Sequence, residues 1–569
     1  MFLRKLAIAI FICTSIYCNT AYAQLNEKKE IFTKADTLRG SNGIYRQNWD
    51  VLKYDITVEP DIAAKTIVGK CDMLFFDKGA TKMQIDLQEP MLLDSVKQGE
   101  NNFEFTRENN VYWLIYRNIK EGEKFAFKES KQHLVFYFHG KPREAIRAPW
   151  DGGWVWKKDK KNSPWVTVAC QGLGASVWYP CKDIQSDKPD NGASLTMIVP
   201  DSLVAVGNGR LAEKKVLGNG KTMYTWLVKN TINNYCIVPY IGKYVNFSEK
   251  YKGLKGKLDM DYWVLDYNLE KAKKQFLDAP KMMKAFEHWF GPYPFYEDSY
   301  KLVDAPHLGM EHQSAIAYGN GYQMGYLGKD WSGTGEGIKW DFIIVHESGH
   351  EWFANSICTK DIADMWVHEG FTDYSETLFV DYFWGKEAGN NYVQGIRTSI
   401  SNDVPIIGNY GVNKEGSGDM YFKAGNMLHI IRQITNNDKK FRAMLIGLNK
   451  EFYHKTVTTQ EIESYISKKL KFDFTTIFNQ YLRTTKVPLL EYKIEGKNIS
   501  YRYTNVVESF TMPIKVSFDT SNKNVKWLEA STEWKSIKLA DWYDGKTFLI
   551  DKNFYIKNKN VDTTIEQKK

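Results

Sequence analysis

The sequence predicts an α+β protein of several domains, because its hydrophobic pattern changes twice along the chain. Residues from about 40 to 250 alternate with period two, residues from about 260 to 485 follow helical spacing, and alternation then returns. A chain of 569 residues has room for roughly three to four domains. We therefore expect a β-rich N-terminal domain, a mainly α-helical middle domain and a small C-terminal β domain.

The overall composition excludes one class of partner. Hydrophobic residues make up 43% of the chain and charged residues 25%, as in ordinary globular proteins. The net charge is only +8 and no run is rich in Lys and Arg, so the sequence predicts no nucleic-acid partner. Aromatic residues reach 15%, and we expect them to fill the β-rich cores.

The first residues have the pattern of a secretory signal peptide. Arg4 and Lys5 precede an apolar run from 6 to 16, and Ala21-Tyr22-Ala23 supplies small residues for cleavage after Ala23. The apolar run is too short to span a bilayer. The sequence therefore predicts a signal peptide over residues 1–23. It also predicts an exported protein, periplasmic or extracellular, whose mature chain has no membrane span.

Five cysteines follow the predicted signal peptide: Cys71, Cys170, Cys181, Cys236 and Cys358. An odd number excludes a complete disulfide framework. Export permits a bridge such as Cys170–Cys181. Burial of these side chains as small apolar residues is the alternative.

Three segments of residues 24–250 indicate the N-terminal β domain. YDITVEP (54–60), HLVFYFHG (133–140) and MYTWLVKN (223–230) are rich in β-branched and aromatic residues, which is typical of strands. Residues 251–487 are predicted to form the helical domain. Residues 268–291 have helical spacing that ends at Gly291-Pro292, and Thr458 with Glu461 predicts a capping box. Residues 488–569 are predicted to form a small C-terminal β sandwich.

One segment of the helical domain has the spacing of a metal site. His346 and His350 are four residues apart, so on a helix both imidazoles lie on one face and reach a single Zn²⁺ ion. Glu347 follows in the H-E-x-x-H pattern, offset so that it holds a metal-bound water rather than the metal. Glu369 comes after eighteen further residues, which allows a turn and a second helix. We predict one zinc ion per chain, bound by His346, His350 and Glu369.

Other polar residues of this segment are predicted to support the site or to lie outside it. Asp373 and Glu376 follow Glu369 on the same helix face, and one of them is expected to accept a hydrogen bond from a ligand histidine. His368 projects about 100° away from Glu369, so a supporting or core role is predicted. Glu351 is predicted to be solvated.

Four motifs together resemble the M1 aminopeptidases, the gluzincin group that includes leukotriene A4 hydrolase. They are the zinc motif, GMEHQ (309–313), MYFKAG (420–425) and QGLGASVWYPCKD (171–183). Their order and spacing agree with the family, and the resemblance covers nearly all of the mature chain. It implies an N-terminal β saddle or sandwich, a thermolysin-like catalytic domain and a small C-terminal β sandwich.

The resemblance implies catalytic roles for two residues. Glu347 would act as general base and then as general acid towards a metal-activated water. The Tyr421 hydroxyl would stabilise the oxyanion. The implied activity is that of a zinc aminopeptidase, cutting neutral or broad N-terminal residues from peptides that have a free N-terminus. We also expect a monomer.

The resemblance further implies substrate-binding roles at two motifs. Glu311 would pair with the α-amine of the substrate, assisted by the carbonyl oxygen of Gln171. The backbone of Gly309 and Met310 would bond the substrate as an added strand.

This sequence departs from the family pattern at three places. His312 and His368 each stand where the family has Asn, and Ala424-Gly425 shifts the glycine after Lys423 by one residue. The resemblance implies that His312 changes the hydrogen bonding near the first subsite, and the shifted glycine leaves Tyr421 in place.

Two alternatives remain open from the sequence. A zinc endopeptidase would share the metal chemistry, although an anion at Glu311 disfavours a continuing peptide chain. A catalytically inactive zinc-bearing binding or scaffold protein would need neither Glu347 nor Tyr421, since structural zinc sites usually have four protein ligands.

Overall fold

The computed structural model describes residues 31–117, 128–520, 524–539, 543 and 547–561. The predicted signal peptide lies outside these residues. Two short helices and a series of strands make up the N-terminal part. In chain order these elements are α1 (Lys34–Gly40), α2 (Ile44–Gln47), β1 (Trp49–Asp61), β2 (Thr66–Asp77), β3 (Lys82–Asp86), β4 (Leu92–Gln98), β5 (Asn101–Asn102), β6 (Phe105–Glu108), β7 (Val111–Ile115), β8 (Ser130–Gly140), β9 (Gly153–Lys158), β10 (Pro164–Ala169), β11 (Ala193–Pro200), β12 (Val204–Val206), β13 (Arg210–Val216), β14 (Lys221–Val228) and β15 (Tyr240–Gly242).

The N-terminal strands form three sheets around one core. Eight strands pair in the order β13-β14-β11-β1-β2-β8-β4-β5, four in the order β12-β15-β10-β9, and three in the order β3-β7-β6. Buried and half-buried side chains alternate along most of β1, because successive residues of a strand point to opposite faces. The three segments predicted as strands fall on β1, β8 and β14.

The middle part combines one sheet with a set of helices. In chain order its elements are β16 (Tyr244–Gly253), β17 (Gly256–Leu265), α3 (Leu269–Gln275), α4 (Asp278–Phe290), β18 (Tyr300–Asp304), β19 (Gly309–Met310), β20 (Ile316–Tyr318), α5 (Phe342–Gly349), β21 (Cys358–Thr359), α6 (Trp366–Trp384), α7 (Lys386–Gly395), α8 (Phe422–Thr435), α9 (Asp438–Glu451), β22 (Thr456–Val457), α10 (Thr459–Leu470) and α11 (Thr475–Arg483). Its strands pair in the order β16-β17-β18-β20-β19, and β21 pairs with β22.

Local signals in the sequence set several of these boundaries. Helix α4 ends at Gly291, which adopts a φ of 90°, and helix α10 begins with the capping box of Thr458 and Glu461. Strand β16 runs across residue 250, the predicted domain limit, and pairs with β17 in the sheet of the middle part. No helix among the described residues combines the length and apolar character needed to cross a bilayer.

The C-terminal part consists of two small sheets. Its strands are β23 (Leu489–Glu495), β24 (Asn498–Thr504), β25 (Thr511–Ser517), β26 (Val525–Ser531), β27 (Lys535–Lys538), β28 (Leu549–Ile550) and β29 (Lys557–Asn560). These strands pair in the orders β27-β24-β23-β29 and β26-β25-β28. Their buried side chains continue the core of the helical part. This architecture confirms the predicted α+β fold with β-rich ends and a mainly helical centre.

The core of the N-terminal part extends into the sheet that precedes the metal motif. Val303, Met310 and Ala317, on β18, β19 and β20, belong to that core. Strand β19, which carries the predicted substrate-binding residues Gly309 and Met310, is therefore fixed between the N-terminal sheets and the helical part.

A buried ion pair anchors helix α2 to strand β3. Arg46 is fully buried and pairs with Asp86, whose Oδ1 accepts a hydrogen bond from Gln84 Nε2 at 2.9 Å. Burial raises the pKa of Asp86, and the Arg46 guanidinium opposes that rise. The carboxylate therefore depends on Arg46 for its compensation.

We predict that Arg46→Met destabilises the N-terminal part by about 3–5 kcal/mol, because it leaves a buried carboxylate without its cation. Thermal unfolding followed by circular dichroism measures the effect. The matched control is Lys78→Met, which breaks the more exposed pair with Asp50 and should change stability by about 1 kcal/mol or less. Equal effects of the two variants would contradict the prediction.

Candidate active site

Two helices bring the predicted metal ligands together. His346 lies in α5, His350 caps its C-terminal end, and Glu369 lies in the first turn of α6. One ligand atom from each residue lies within 4.8 Å of the others. His350 Nε2 is 3.3 Å from Glu369 Oε2, and His346 Nε2 is 4.0 Å from the same oxygen. All three side chains are buried.

The other ring nitrogen of each histidine has its own partner. His346 Nδ1 donates to Glu376 Oε1 at 2.6 Å, and His350 Nδ1 lies 3.1 Å from both Phe353 O and Thr372 Oγ1. These bonds place the proton on Nδ1 and leave the lone pair of Nε2 for a metal. Of the two carboxylates that the sequence offered as acceptors for a ligand histidine, Glu376 has this contact.

The donor set fits a zinc ion. Glu369 Oε2 is buried and receives no hydrogen bond from the described residues, although the two imidazoles face it. A buried carboxylate oxygen without a donor is costly, and a bound cation would compensate it. Two imidazole nitrogens and one carboxylate oxygen are the protein ligands of catalytic zinc sites that keep a position open for water or substrate.

Glu347 lies between the metal ligands and strand β19. It lines the same cavity of about 380 Å³ as the three ligands. A Cβ on Gly309 would lie 2.7 Å from Glu347 Oε1, so a larger residue here would displace the Glu347 side chain. Burial raises the pKa of Glu347 to about 7, and His346 and His350 oppose the rise. A carboxyl with a pKa near neutrality suits proton transfer in both directions.

A second buried carboxylate lies at the end of β19. Glu311 Oε1 accepts hydrogen bonds from Gln171 Nε2 at 2.6 Å and from the Tyr235 hydroxyl at 2.9 Å. Glu311 is 2% exposed, and burial raises its pKa. The structure thus joins the predicted residues Gln171 and Glu311 across 140 positions of chain. Tyr235 was missed because no local motif marks a contact made across 76 positions.

Tyr421 lies beside the metal ligands at the start of α8. Its ring centroid is 6.2 Å from that of His346, with an angle of 26° between the ring planes, and it lines the catalytic cavity with Glu347 and Glu311. Burial raises the pKa of its hydroxyl well above the usual value. The hydroxyl therefore stays protonated at neutral pH and acts as a donor.

The structure corrects the expectation that Glu351 is solvated. Glu351 is fully buried, and its Oε1 accepts a hydrogen bond from the backbone N–H of Ser314 at 2.7 Å. Burial raises its pKa to about 8. The prediction failed because the turn after α5, which carries Glu351, packs against the loop after β19 rather than facing water.

His368 and His312 make their hydrogen bonds to residues other than the metal ligands. His368 Nε2 accepts a hydrogen bond from the Thr359 N–H at 3.0 Å, and His312 Nδ1 lies 2.6 Å from the Tyr240 hydroxyl. Both residues are buried. The five cysteines are all free and buried. The structure therefore has the buried-thiol alternative and not a Cys170–Cys181 bridge.

Comparison with protein families adds evidence that is independent of this geometry. Residues 275–481 match the model described as the peptidase family M1 domain. This range includes the three metal ligands together with Glu347, Glu311 and Tyr421.

Curated relatives match over most of this chain at low identity. Aminopeptidase M1-D of Oryza sativa subsp. japonica is 20% identical over 549 residues, covering 90% of this chain and 59% of the relative. A leucyl aminopeptidase of Saccharolobus solfataricus is 20% identical over 479 residues, covering 79% of this chain and 57% of the relative. The chain therefore spans less than two thirds of the length of these proteins.

Solved structures share the fold. An M1 zinc metallopeptidase from Deinococcus radiodurans superposes with a TM-score of 0.64 at 17% identity, covering 78% of this chain and 95% of that one. A mutant of the same enzyme, bound to the substrate Tyr-Ser-Ala, gives a TM-score of 0.63 at 16% identity, covering 78% of this chain and 96% of that one. Residues 275–481 therefore match the domain of peptidase family M1, the family that the sequence motifs resemble.

Proposed function

We propose that the protein is a zinc aminopeptidase that removes the N-terminal residue of peptides. The observation that carries this proposal is the buried Glu311 carboxylate, which lines the same cavity as the His346, His350 and Glu369 donor set. An anion fixed close to a metal site selects a substrate whose cationic end is close to the bond that is cut. The relatives named aminopeptidases support this assignment.

Different residues around the cavity carry out different steps of peptide hydrolysis. Zinc held by the donor set would lower the pKa of a coordinated water towards about 7. Glu347 takes a proton from the attacking water as the water oxygen bonds to the carbonyl carbon of the substrate. It then delivers that proton to the leaving amine as the C–N bond breaks. The Tyr421 hydroxyl donates to the developing oxyanion.

Substrate orientation comes from β19 and its neighbours. Glu311 accepts hydrogen bonds from the α-ammonium group, and Gln171 Oε1 is available as a second acceptor beside it. The free edge of β19 supplies backbone groups for an added strand, since β19 pairs only with β20 among the described strands. A peptide bound this way has its first residue against Glu311.

An endopeptidase is the second candidate within the same chemistry. It requires the cavity to accept a chain that continues beyond Glu311, where a neutral amide would replace the ammonium group. The buried carboxylate disfavours that replacement, because it would lose its cationic partner.

We also propose that the protein is exported from the cytoplasm. This proposal rests on the signal-peptide pattern of residues 1–23 alone.

We predict that Glu347→Gln lowers kcat for an aminoacyl reporter by about 10²–10⁴-fold, because the amide cannot accept the proton of the attacking water. Zinc content, measured by inductively coupled plasma mass spectrometry, should stay that of the wild type, since Glu347 is not a metal ligand. Unchanged activity in this variant would favour the zinc-bearing scaffold over an enzyme.

We predict that N-acetylation of a peptide slows its cleavage by about 10²-fold or more, because the neutral amide leaves the Glu311 carboxylate unpaired. The measurement compares kcat/KM for one peptide with a free and an acetylated N-terminus by mass spectrometry. Glu311→Gln should weaken the discrimination between the two forms. Equal rates for the two peptides in the wild type would show an endopeptidase.

We predict that Glu376→Gln weakens zinc binding by about 10–100-fold, because the His346 imidazole loses its charged acceptor. Competition with a fluorescent zinc chelator measures the affinity. Glu387→Gln, an exposed change in α7, is the control and should leave the affinity unchanged. An unaltered affinity in Glu376→Gln would show that the Nδ1 contact does not orient the ligand.

A further inference from the structure

Asp373 and Glu415 line the catalytic cavity but have no role in the reaction described above. Glu415 lines the cavity from the segment that connects α7 to α8, six residues before Tyr421. Its Oε1 lies 3.7 Å from the position that a Cβ on Gly172 would occupy. Gly172 follows Gln171, whose amide contacts Glu311. Glu415 therefore lies next to the residues that would hold the α-ammonium group.

Six carboxylates line the cavity, and their contacts differ. Glu369 belongs to the metal donor set, Glu376 bonds to His346 and Tyr392, and Glu311 bonds to Gln171 and Tyr235. Glu347 faces β19, and Asp373 Oδ2 occupies the space that a side chain on Gly425 would fill. Within the part of the chain that the structure describes, the Glu415 carboxylate makes no hydrogen bond or ion pair with another residue. The Glu415 carboxylate can therefore accept a cation, and the described residues that line the cavity include no Lys or Arg to pair with it.

The surroundings of Glu415 favour a positively charged ligand. Burial raises the pKa of Glu415 to about 7, and the negative charges of Glu369 and Glu311 add to the rise. A cation beside the carboxylate would offset both contributions and favour its ionised form. Met310 and Met365, which line the same cavity, offer apolar surface to an alkyl stem.

The backbone around Glu415 is held at several points, so the segment that carries this side chain has a fixed position. The Gly411 N–H donates to Asp361 Oδ2 at 2.8 Å. The Asn413 N–H donates to Asp36 O at 3.2 Å, and the Ser417 N–H donates to Pro405 O at 3.0 Å. These contacts reach helix α1, the loop before α6 and the loop after α7. A preorganised acceptor loses less affinity to ordering on binding.

We propose that Glu415 binds the basic side chain of an N-terminal Lys or Arg residue of the substrate. This inference rests on the proposed aminopeptidase function, in which Glu311 already accounts for the α-ammonium group. The second carboxylate then lies where the side chain of the same residue projects. The sequence by itself predicts neutral or broad N-terminal residues. Glu415 changes that expectation to a preference for Lys and Arg.

The experiment measures kcat/KM of the zinc-loaded enzyme for lysyl, arginyl and norleucyl reporters. Norleucine matches the stem of lysine without its charge. The wild type should favour the two basic reporters. Glu415→Gln should lower kcat/KM for them by about 10–100-fold and for the norleucyl reporter by about 2-fold or less, because one charge-assisted contact is lost. Glu100→Gln, which alters an exposed carboxylate of the N-terminal part, is the matched control.

Each outcome decides the inference. An equal loss for all three reporters would assign Glu415 to the α-ammonium group or to cavity structure and overturn the proposal, as would a wild type without basic preference. Partial recovery of lysyl activity in Glu415→Asp would support it, since the charge is kept. Hydrolysis of the norleucyl reporter alone leaves the aminopeptidase function intact and removes the inference. Failure to hydrolyse any reporter removes both.

Discussion

The rest of the site depends on one constraint: the imidazoles of His346 and His350 and the carboxylate of Glu369 lie close together inside the protein. Buried polar groups destabilise a fold unless each has a partner. Here the Nδ1 atoms of His346 and His350 have acceptors in the protein, while both Nε2 atoms face Glu369. The packing of α5 on α6 therefore leaves one set of lone pairs uncompensated, and a cation is the partner that completes it.

The N-terminal part contributes residues to the lining of the catalytic cavity, among them Trp150 and Gln171. Gln171 and Tyr235 come from that part, and both contact Glu311 of the middle part. Met310 belongs to the N-terminal hydrophobic core although it precedes Glu311 directly. A carboxylate held at such a junction keeps its position only while both cores keep theirs. The proposed recognition of the substrate N-terminus by Glu311 therefore depends on both the N-terminal part and the middle part of the chain.

Carboxylates dominate the electrostatics of this cavity. Glu311, Glu347 and Glu415 all have raised pKa values because burial disfavours their charged forms. Their proposed functions differ because their contacts differ: Glu347 lies beside the metal ligands, Glu311 has two protein donors, and Glu415 has none among the described residues. The same residue type can thus serve as base, ammonium acceptor and candidate side-chain acceptor.

The sequence by itself determined the fold class, the helical placement of His346 and His350, and the family resemblance, because these follow from spacings along a short piece of chain. Only the tertiary structure decided that Glu376 supports His346, that Glu351 is buried, and that Glu415 lies beside Gly172, 243 positions away in the numbering. Local periodicity gives the direction in which a side chain projects from its own element. What it meets there depends on how distant segments pack, and no spacing within one element records that.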